Sequence, residues 1–69
     1  MKISARNKLT GTVVDVVKGA TTSHIRIDIA GNNIVTASIT NEAVDELKLT
    51  KGQRATAVNK ASDVLVAVE

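Results

Sequence analysis

Hydrophobic and polar residues alternate in several short stretches of this chain, and such alternation is typical of β-strands. It is clearest from Thr22 to Ile29, where three isoleucines follow one another at every second position from Ile25 onwards. The isoleucines are expected to face a core and the residues between them to face solvent: Ile25, Ile27 and Ile29 inward, and His24, Arg26 and Asp28 outward. This stretch therefore predicts a half-buried strand.

The preceding stretch, Lys8–Lys18, is rich in β-branched residues and predicts a longer strand. Its two expected faces are both largely apolar, which suits a strand covered on both sides: Thr12, Val14 and Val16 on one, and Val13, Asp15 and Val17 on the other. Gly11 marks a candidate bulge or bend, because glycine inside a strand weakens the regular pattern. Gly19 and Ala20 then predict a turn.

Ala30–Asn33 combines glycine with asparagine, both of which tolerate positive φ, and predicts a hairpin into a third strand, Ile34–Thr40. A short helix is expected over Glu42–Lys48, capped by Thr40 or by the residue after it. Val44 and Leu47 are three residues apart and would form its apolar stripe.

Two further strands are expected after the helix, at Arg54–Asn59 and Val64–Val68, with a corner at Lys60–Asp63 between them. This order predicts an all-β fold: a five-stranded barrel like the OB-fold, with one short helix between strands 3 and 4. An immunoglobulin-type sandwich needs more strands than the length allows. We find no linker and no internal repeat, so residues 1–69 are expected to form a single domain.

The composition predicts self-association. The chain has 69 residues, no aromatic side chain and no cysteine, so neither large rings nor disulfides can stabilise its small core. The formal charge of +2 comes from dispersed charges and, without aromatic stacking platforms, argues against a nucleic-acid partner. We expect no membrane association and a cytoplasmic location, because no apolar run has the length of a signal peptide or of a membrane span.

Catalytic and metal-binding motifs are missing from the sequence. His24 is the one histidine, no cysteine is present, and the four glycines stand apart from one another. His24 lies beside Arg26 on the expected polar face of a strand, which favours a solvated or interface histidine over a catalytic one. One histidine without cysteine leaves only scattered carboxylates for a metal ion, and no glycine-rich phosphate motif is present. We therefore expect a binding protein rather than an enzyme.

Hydrogen-bond donors concentrate at three points that suit a small oxyanion. Arg6 offers a planar fork to two oxygens, and Lys60 supplies a compact positive charge. Hydroxyl groups stand at the same three points: Ser4, Thr40 and Ser62. From the residues alone, purely structural roles remain open, because a helix cap, a corner charge and a surface ion-pair partner would use the same side chains.

At these residues the sequence resembles the molbindins, a family of small molybdate-binding proteins with Mop domains. The resemblance lies in the opening Ser4–Asn7 (Ser-Ala-Arg-Asn), in Ala37–Thr40, in the Val44–Leu47 helix and in Asn59–Val64 (Asn-Lys-Ala-Ser-Asp-Val), and it covers essentially all 69 residues. Related modules occur in molybdate-responsive regulators and importer ATPases. Because no helix-turn-helix or ATPase sequence is present here, we expect the free-standing form.

The resemblance implies a homohexamer, a trimer of dimers, that binds molybdate or tungstate where subunits meet. It implies that Ser4 and Arg6 of one subunit face Thr40, Lys60 and the backbone N–H of Ala61 of a neighbour, with Ser62 adjacent. Many relatives carry serine at the position of Ala43, so one hydroxyl ligand is replaced here by the Ala43 backbone N–H. The family also has a site on the threefold axis, for which the resemblance assigns no residues here.

The expected function is storage or buffering of the oxyanion. Molybdate is a dianion with four acceptor oxygens and no donor, so a pocket of N–H and O–H donors suits it. Phosphate is partly protonated near neutral pH and would need an acceptor, whereas sulfate would have to be separated by size. Two alternatives are a nucleic-acid-binding OB-fold and an interaction module that uses the anion as a switch.

Overall fold

The computed structural model describes residues 1–69, and its architecture is an antiparallel sheet of four strands with one short helix. The strands lie side by side in the order β3-β2-β1-β4. Their bounds are β1 Asn7–Lys18, β2 Thr22–Asp28, β3 Ile34–Thr40 and β4 Arg54–Asn59, with helix α1 Asn41–Leu47 and a single 3₁₀ turn at Ala61–Asp63. The sheet curls into a half-barrel like part of an OB-fold, which confirms the predicted all-β class.

Strand β1 holds the sheet together because it pairs with two strands in succession. Its first half, from Asn7 to Thr12, pairs with β4, and its second half, from Thr12 to Lys18, pairs with β2. Thr12 stands opposite a residue of each neighbour, Asp28 on one side and Arg54 on the other. The middle of β1 is therefore the point at which its pairing passes from β4 to β2.

A β-bulge in β1 corrects the predicted faces of this strand. The register shifts between Val13 and Asp15, so Val14 is an extra residue without a partner in β2. Val13 stands opposite Ile27 and Val16 opposite Ile25, which places both valines on the core face. The expectation that Val13 and Val16 lie on opposite faces was wrong, because the bulge interrupts the two-residue period between them.

Gly11 is needed for close packing rather than for the bulge. A Cβ atom at this position would lie 2.1 Å from the carbonyl oxygen of Asp28, far inside van der Waals contact. The end of β2 therefore passes directly over the Gly11 backbone. This approach allows the sheet to curl where β1 changes partner.

The predicted hairpin between β2 and β3 is confirmed. Its turn contains three consecutive residues with positive φ, namely Ala30, Gly31 and Asn32. Asn33 closes it, since its backbone N–H donates to the carbonyl of Ala30 at 3.0 Å and the backbone N–H of Ile29 donates to Asn33 at 2.9 Å. Alanine is unusual at such a φ, and the Asp28 carboxylate stabilises it by accepting from the Ala30 N–H at 3.0 Å.

Helix α1 attaches to the sheet through one apolar residue. Val44 is buried at 3% exposure, whereas Leu47, its predicted companion, is 61% exposed. The predicted apolar stripe is therefore confirmed for Val44 and wrong for Leu47. The helix ends at Leu47, and Lys48 adopts a left-handed conformation, so no further turn of helix follows to cover Leu47.

The core is small for the amount of apolar side chain in the sequence. Buried apolar residues are limited to five, with a second ring of partly buried ones around them: Val13, Ile25, Ile27, Val44 and Ala57. The predicted fifth strand is not formed within the chain, because Val64–Val68 pairs with neither β3 nor β4. The barrel therefore remains open between these two edge strands.

Replacing Gly11 by alanine tests the close approach at the centre of β1. The added methyl group would collide with the Asp28 backbone, so we expect Gly11→Ala to lower the free energy of unfolding by about 2–3 kcal/mol, the upper part of the range for overpacking. The measurement is urea unfolding followed by circular dichroism at fixed protein concentration.

The matched control for this substitution is Gly31→Ala. The Gly31 Cβ would meet only the Asn33 side chain, at 3.8 Å, so its cost is limited to the positive φ, about 1–2 kcal/mol. Equal losses for the two variants would contradict the role assigned to the Gly11 contact.

Candidate functional site

The seven residues predicted to form a binding site fall into two groups within one chain. We call the first the strand-end cluster, and it consists of Ser4, Arg6, Lys60, Ala61 and Ser62. The second is the helix-start pair, Thr40 and Ala43. The two groups lie at opposite ends of β1. This strand begins at Asn7, beside the strand-end cluster. Its last residue, Lys18, pairs with β2 near the end of the β2–β3 ladder that carries Thr40.

The strand-end cluster is assembled by the pairing of β1 with β4. Asn7 stands opposite Asn59, and Arg6 and Lys60 are the residues immediately beyond this pair. Both cationic side chains therefore leave the same end of the ladder. After Lys60, a 3₁₀ turn reverses the backbone, with the Asp63 N–H donating to the Lys60 carbonyl at 2.9 Å.

The donors of the strand-end cluster are exposed and have no partners within the chain. None of the side-chain hydrogen bonds involves Ser4, Arg6, Lys60 or Ser62. The one ion pair of the chain joins Lys18 to Asp45 and leaves both cations of the cluster free. These groups are available to a ligand without first breaking an internal interaction.

The two residues of the helix-start pair already form a hydrogen bond with each other. The backbone N–H of Ala43 donates to the Thr40 hydroxyl oxygen at 3.1 Å, which is the N-cap interaction of α1. This N–H is therefore occupied in the single chain, although the Thr40 hydroxyl keeps its own hydrogen for donation to another group. The predicted capping role of Thr40 is confirmed.

Both groups lie beside a groove that separates the two edge strands. We call it the β3–β4 groove; its volume is about 740 Å³ and its lining is mostly apolar. Asn59, which precedes Lys60, lines one part of it, and Ile39, which precedes Thr40, lines another. No hydrogen bond or ion pair joins the two groups across the groove.

A buried polar network that the sequence did not reveal fixes the start of α1. Ser23 is fully buried and donates its hydroxyl hydrogen to the Asn41 side-chain oxygen at 2.5 Å. The Asn41 side-chain nitrogen donates in turn to the carbonyls of Gly19 and Ala20, at 3.1 and 3.3 Å. The residue after Thr40 is thereby tied to the β1–β2 turn. The available signal was Ser23 itself, a hydroxyl at the inward phase of an isoleucine strand.

The remaining polar groups do not form a second centre. No group of three or more histidine, cysteine or acidic residues is arranged to hold a metal ion. His24 is exposed on the outer face of β2, opposite Val17 of β1 and Ser38 of β3. Among the helices, none is both long enough and apolar enough to span a membrane.

Comparison with known proteins gives one consistent family. The family model for the TOBE domain matches residues 3–66. A probable molybdenum-pterin-binding protein from Haemophilus influenzae is 45% identical over 69 residues, which is the whole of both chains.

Solved structures agree with this result. MopII from Clostridium pasteurianum superposes with a TM-score of 0.91 at 42% identity, covering 97% of this chain and 100% of that one. The cytoplasmic molybdate-binding protein ModG, solved with molybdate bound, superposes with a TM-score of 0.90 at 43% identity. That match covers 94% of this chain and 46% of ModG.

The role of the buried network can be measured by truncating each partner. Asn41→Ala would leave the Ser23 hydroxyl buried without an acceptor, so we expect a loss of about 1–3 kcal/mol in the free energy of unfolding. Ser23→Ala should cost less, because the partly exposed Asn41 oxygen can turn to water. Thermal and urea unfolding of both variants measure this difference.

Asn33→Ala is the control for this pair, since the Asn33 side chain also donates to a backbone carbonyl, that of Ala30, but on the surface. A cost for Asn41→Ala no greater than that for Asn33→Ala would show that the network does not hold the helix start.

Proposed function

The chain belongs to the TOBE-domain family, and we propose on this premise that it binds molybdate as an oxyanion and does not catalyse a reaction. The names of its relatives describe molybdenum-pterin-binding and molybdate-binding proteins. The observation that carries the proposal is that the charged and hydroxyl donors of the strand-end cluster are exposed and have no partners within the chain, so that they are free to bind an anion together with donors of another copy. Tungstate, which has the same charge and shape, is proposed as a second ligand.

The chemistry of the proposed residues matches a tetrahedral dianion. Arg6 would bind two oxygens through its planar fork, and Lys60 would add a second positive charge, so that two cations balance two negative charges. Ser4, Ser62 and Thr40 would donate from their hydroxyl groups. Arg6, Lys60 and the backbone N–H groups cannot accept a hydrogen bond, so a protonated anion such as hydrogen phosphate could donate its own O–H only to one of the hydroxyl oxygens.

Backbone donors would complete the site. The N–H groups of Ala61 and Ser62 make none of the hydrogen bonds of the turns and loops, as expected for the first turn of a 3₁₀ helix. We propose that the N–H of Ala61 binds the anion directly. Ala43 enters the site through its backbone N–H, which at present holds the Thr40 hydroxyl oxygen in place and so orients that hydroxyl.

The proposed site is shared between subunits. Ser4 and Arg6 of one copy would face Thr40, Lys60 and Ala61 of a neighbour in a homohexamer built as a trimer of dimers. Support for self-association comes from the burial: only seven of 69 residues are buried, while eleven large apolar side chains remain exposed, four of them within Val64–Val68. A chain that leaves so much apolar surface in water gains stability from a partner.

The biological role that fits this chemistry is storage or buffering of molybdate in the cytoplasm. We propose that residues 1–69 act as one Mop-type domain for this purpose. A site of exposed donors from two copies binds and releases its anion without covalent change. The expected affinity is micromolar or tighter, because several charge-assisted hydrogen bonds of about 1.5–3 kcal/mol each reach roughly the 8 kcal/mol that corresponds to 1 μM.

Substitution of Arg6 tests the proposed ligand set. Arg6→Ala should weaken molybdate binding by about 10-fold to 100-fold, equivalent to one or two lost charge-assisted hydrogen bonds, while the circular dichroism spectrum stays unchanged. Isothermal titration with molybdate measures the effect, and a parallel titration with sulfate measures selectivity.

Arg26→Ala is the matched control, because Arg26 is also an exposed arginine but lies on the outer face of β2, away from the strand-end cluster. Its affinity for molybdate should equal that of the natural chain. If Arg6→Ala binds as tightly as Arg26→Ala, Arg6 is not a ligand.

A further inference from the structure

Asn41 binds three consecutive backbone carbonyls of the turn between β1 and β2. Its side-chain nitrogen donates to the carbonyl oxygens of Gly19 and Ala20, at 3.1 and 3.3 Å, and its backbone N–H donates to that of Thr21 at 3.0 Å. Its side-chain oxygen accepts from the buried Ser23 hydroxyl. We call this set of five residues the turn clamp.

The end of β3 has few other attachments to the fold. Thr40, its last residue, pairs with Thr22 of β2 on one side and faces no strand on the other, because β3 is an edge of the sheet. Within α1, only Val44 is buried. The ion pair between Lys18 and Asp45 also reaches the helix, but both side chains are at least half exposed, and such pairs contribute little to stability. The turn clamp therefore decides how firmly the end of β3 is held.

The turn clamp bears on the anion site because Asn41 directly follows Thr40. The Thr40 hydroxyl oxygen accepts the Ala43 N–H at 3.1 Å, which orients the side chain and leaves the hydroxyl hydrogen for a ligand. The place of this hydroxyl in the site then depends on the backbone at the end of β3, which the clamp holds. Binding groups must be held to within about 0.5 Å to be effective, so this attachment matters for the ligand as well as for the fold.

We propose that Asn41 is a positioning residue that holds the Thr40 hydroxyl in a fixed place and thereby makes the site select molybdate over smaller oxyanions, a role that rests on the proposed function. Asn41 does not bind the anion itself. Its side-chain nitrogen already donates to two carbonyls and its backbone N–H to a third, so no donor is left for a ligand. It acts through Thr40, the residue before it.

Selectivity for size requires donors that cannot move. Molybdate and sulfate are both tetrahedral dianions, and molybdate is the larger, so charge alone does not separate them. A donor in a fixed place makes a short hydrogen bond with the larger anion and a longer, weaker one with the smaller. A Thr40 that was free to move inward would follow sulfate and restore that bond. The clamp therefore disfavours sulfate more than it favours molybdate, which is how specificity arises.

The double variant Ser23→Ala with Asn41→Leu removes the clamp and keeps the shape of its side chains. No buried hydroxyl is left unpaired, and the exposed turn can bind water at its carbonyls, so the variant is expected to fold. Isothermal titration should show molybdate binding weakened by about 10-fold, close to the loss of one hydrogen bond. Sulfate, measured by competition against molybdate, should weaken by less than about 2-fold, so that the preference for molybdate falls by at least about 5-fold.

Gly31→Ala is the matched control, because it is expected to destabilise the chain through a positive φ at the hairpin, at the other end of β3 from Thr40. Its preference for molybdate over sulfate should equal that of the natural chain. In the double variant, an equal loss of affinity for both anions would overturn the proposal, because it would indicate lost stability rather than lost position. An unchanged affinity for molybdate would overturn it as well.

A third substitution shows whether Asn41 acts through Thr40. Thr40→Val removes the hydroxyl and keeps a β-branched side chain. Added to this variant, the double change should lower the molybdate affinity by no more than about 2-fold, because the group that it positions is already absent. A further loss as large as the one seen in the natural chain would contradict a role through Thr40.

Hydrogen exchange without any anion separates this inference from the proposed function. The Ala43 amide hydrogen is bound to the Thr40 hydroxyl oxygen, so it should exchange at least about 10-fold faster once the clamp is removed. Equal exchange in the double variant and the natural chain would overturn the positioning role. If the natural chain bound no molybdate while this exchange was faster, the proposed function would fail and the attachment of Thr40 by the clamp would be confirmed.

Discussion

A curled sheet of four strands must be filled here by aliphatic side chains alone, and this constraint governs the rest of the structure. Without aromatic rings, the core reaches only five buried apolar residues, among them Ile25 and Val13. The sheet can curl because Gly11 lets the end of β2 approach its backbone and because a bulge at Val14 bends β1. It does not close, and the apolar surface left at its two edges is what a second copy would cover.

The failure of the sheet to close into a barrel also explains the position of the candidate site. Strand ends at an open barrel are where backbone and side-chain donors remain without partners, as Arg6 and Lys60 do beyond the last pair of β1 and β4. A dianion supplied at such a point would balance their charge, and a neighbouring copy would exclude water from it. Binding and assembly would then stabilise each other, because a ligand that binds only the assembled form favours it by mass action.

Much of the fold could be predicted from local patterns. The alternation around Ile25 and Ile27 predicted β2 and its faces, and the glycine and asparagine of the next turn predicted the hairpin. The bulge in β1 could not be predicted, because both faces of that stretch are apolar and a one-residue shift leaves the pattern unchanged. The fifth strand was predicted from a correct apolar pattern, but a strand also needs an edge to pair with, and within one chain Val64–Val68 has none.

The candidate site was predictable in its residue types and less so in its geometry. The clustering of Arg6 with Lys60 follows from strand register, which the sequence does not specify. The occupied N–H of Ala43 and the buried link from Ser23 to Asn41 depend on how the helix start packs against a distant turn. Such contacts between residues far apart in the chain leave little trace in local periodicity.

Native mass spectrometry with molybdate, and with sulfate as the control, tests the central claim most directly. The account predicts a hexamer that takes up several molybdate ions and none of sulfate. A monomer or dimer whose mass is unchanged by either anion would contradict the claim that this chain binds molybdate at the interfaces of its own assembly.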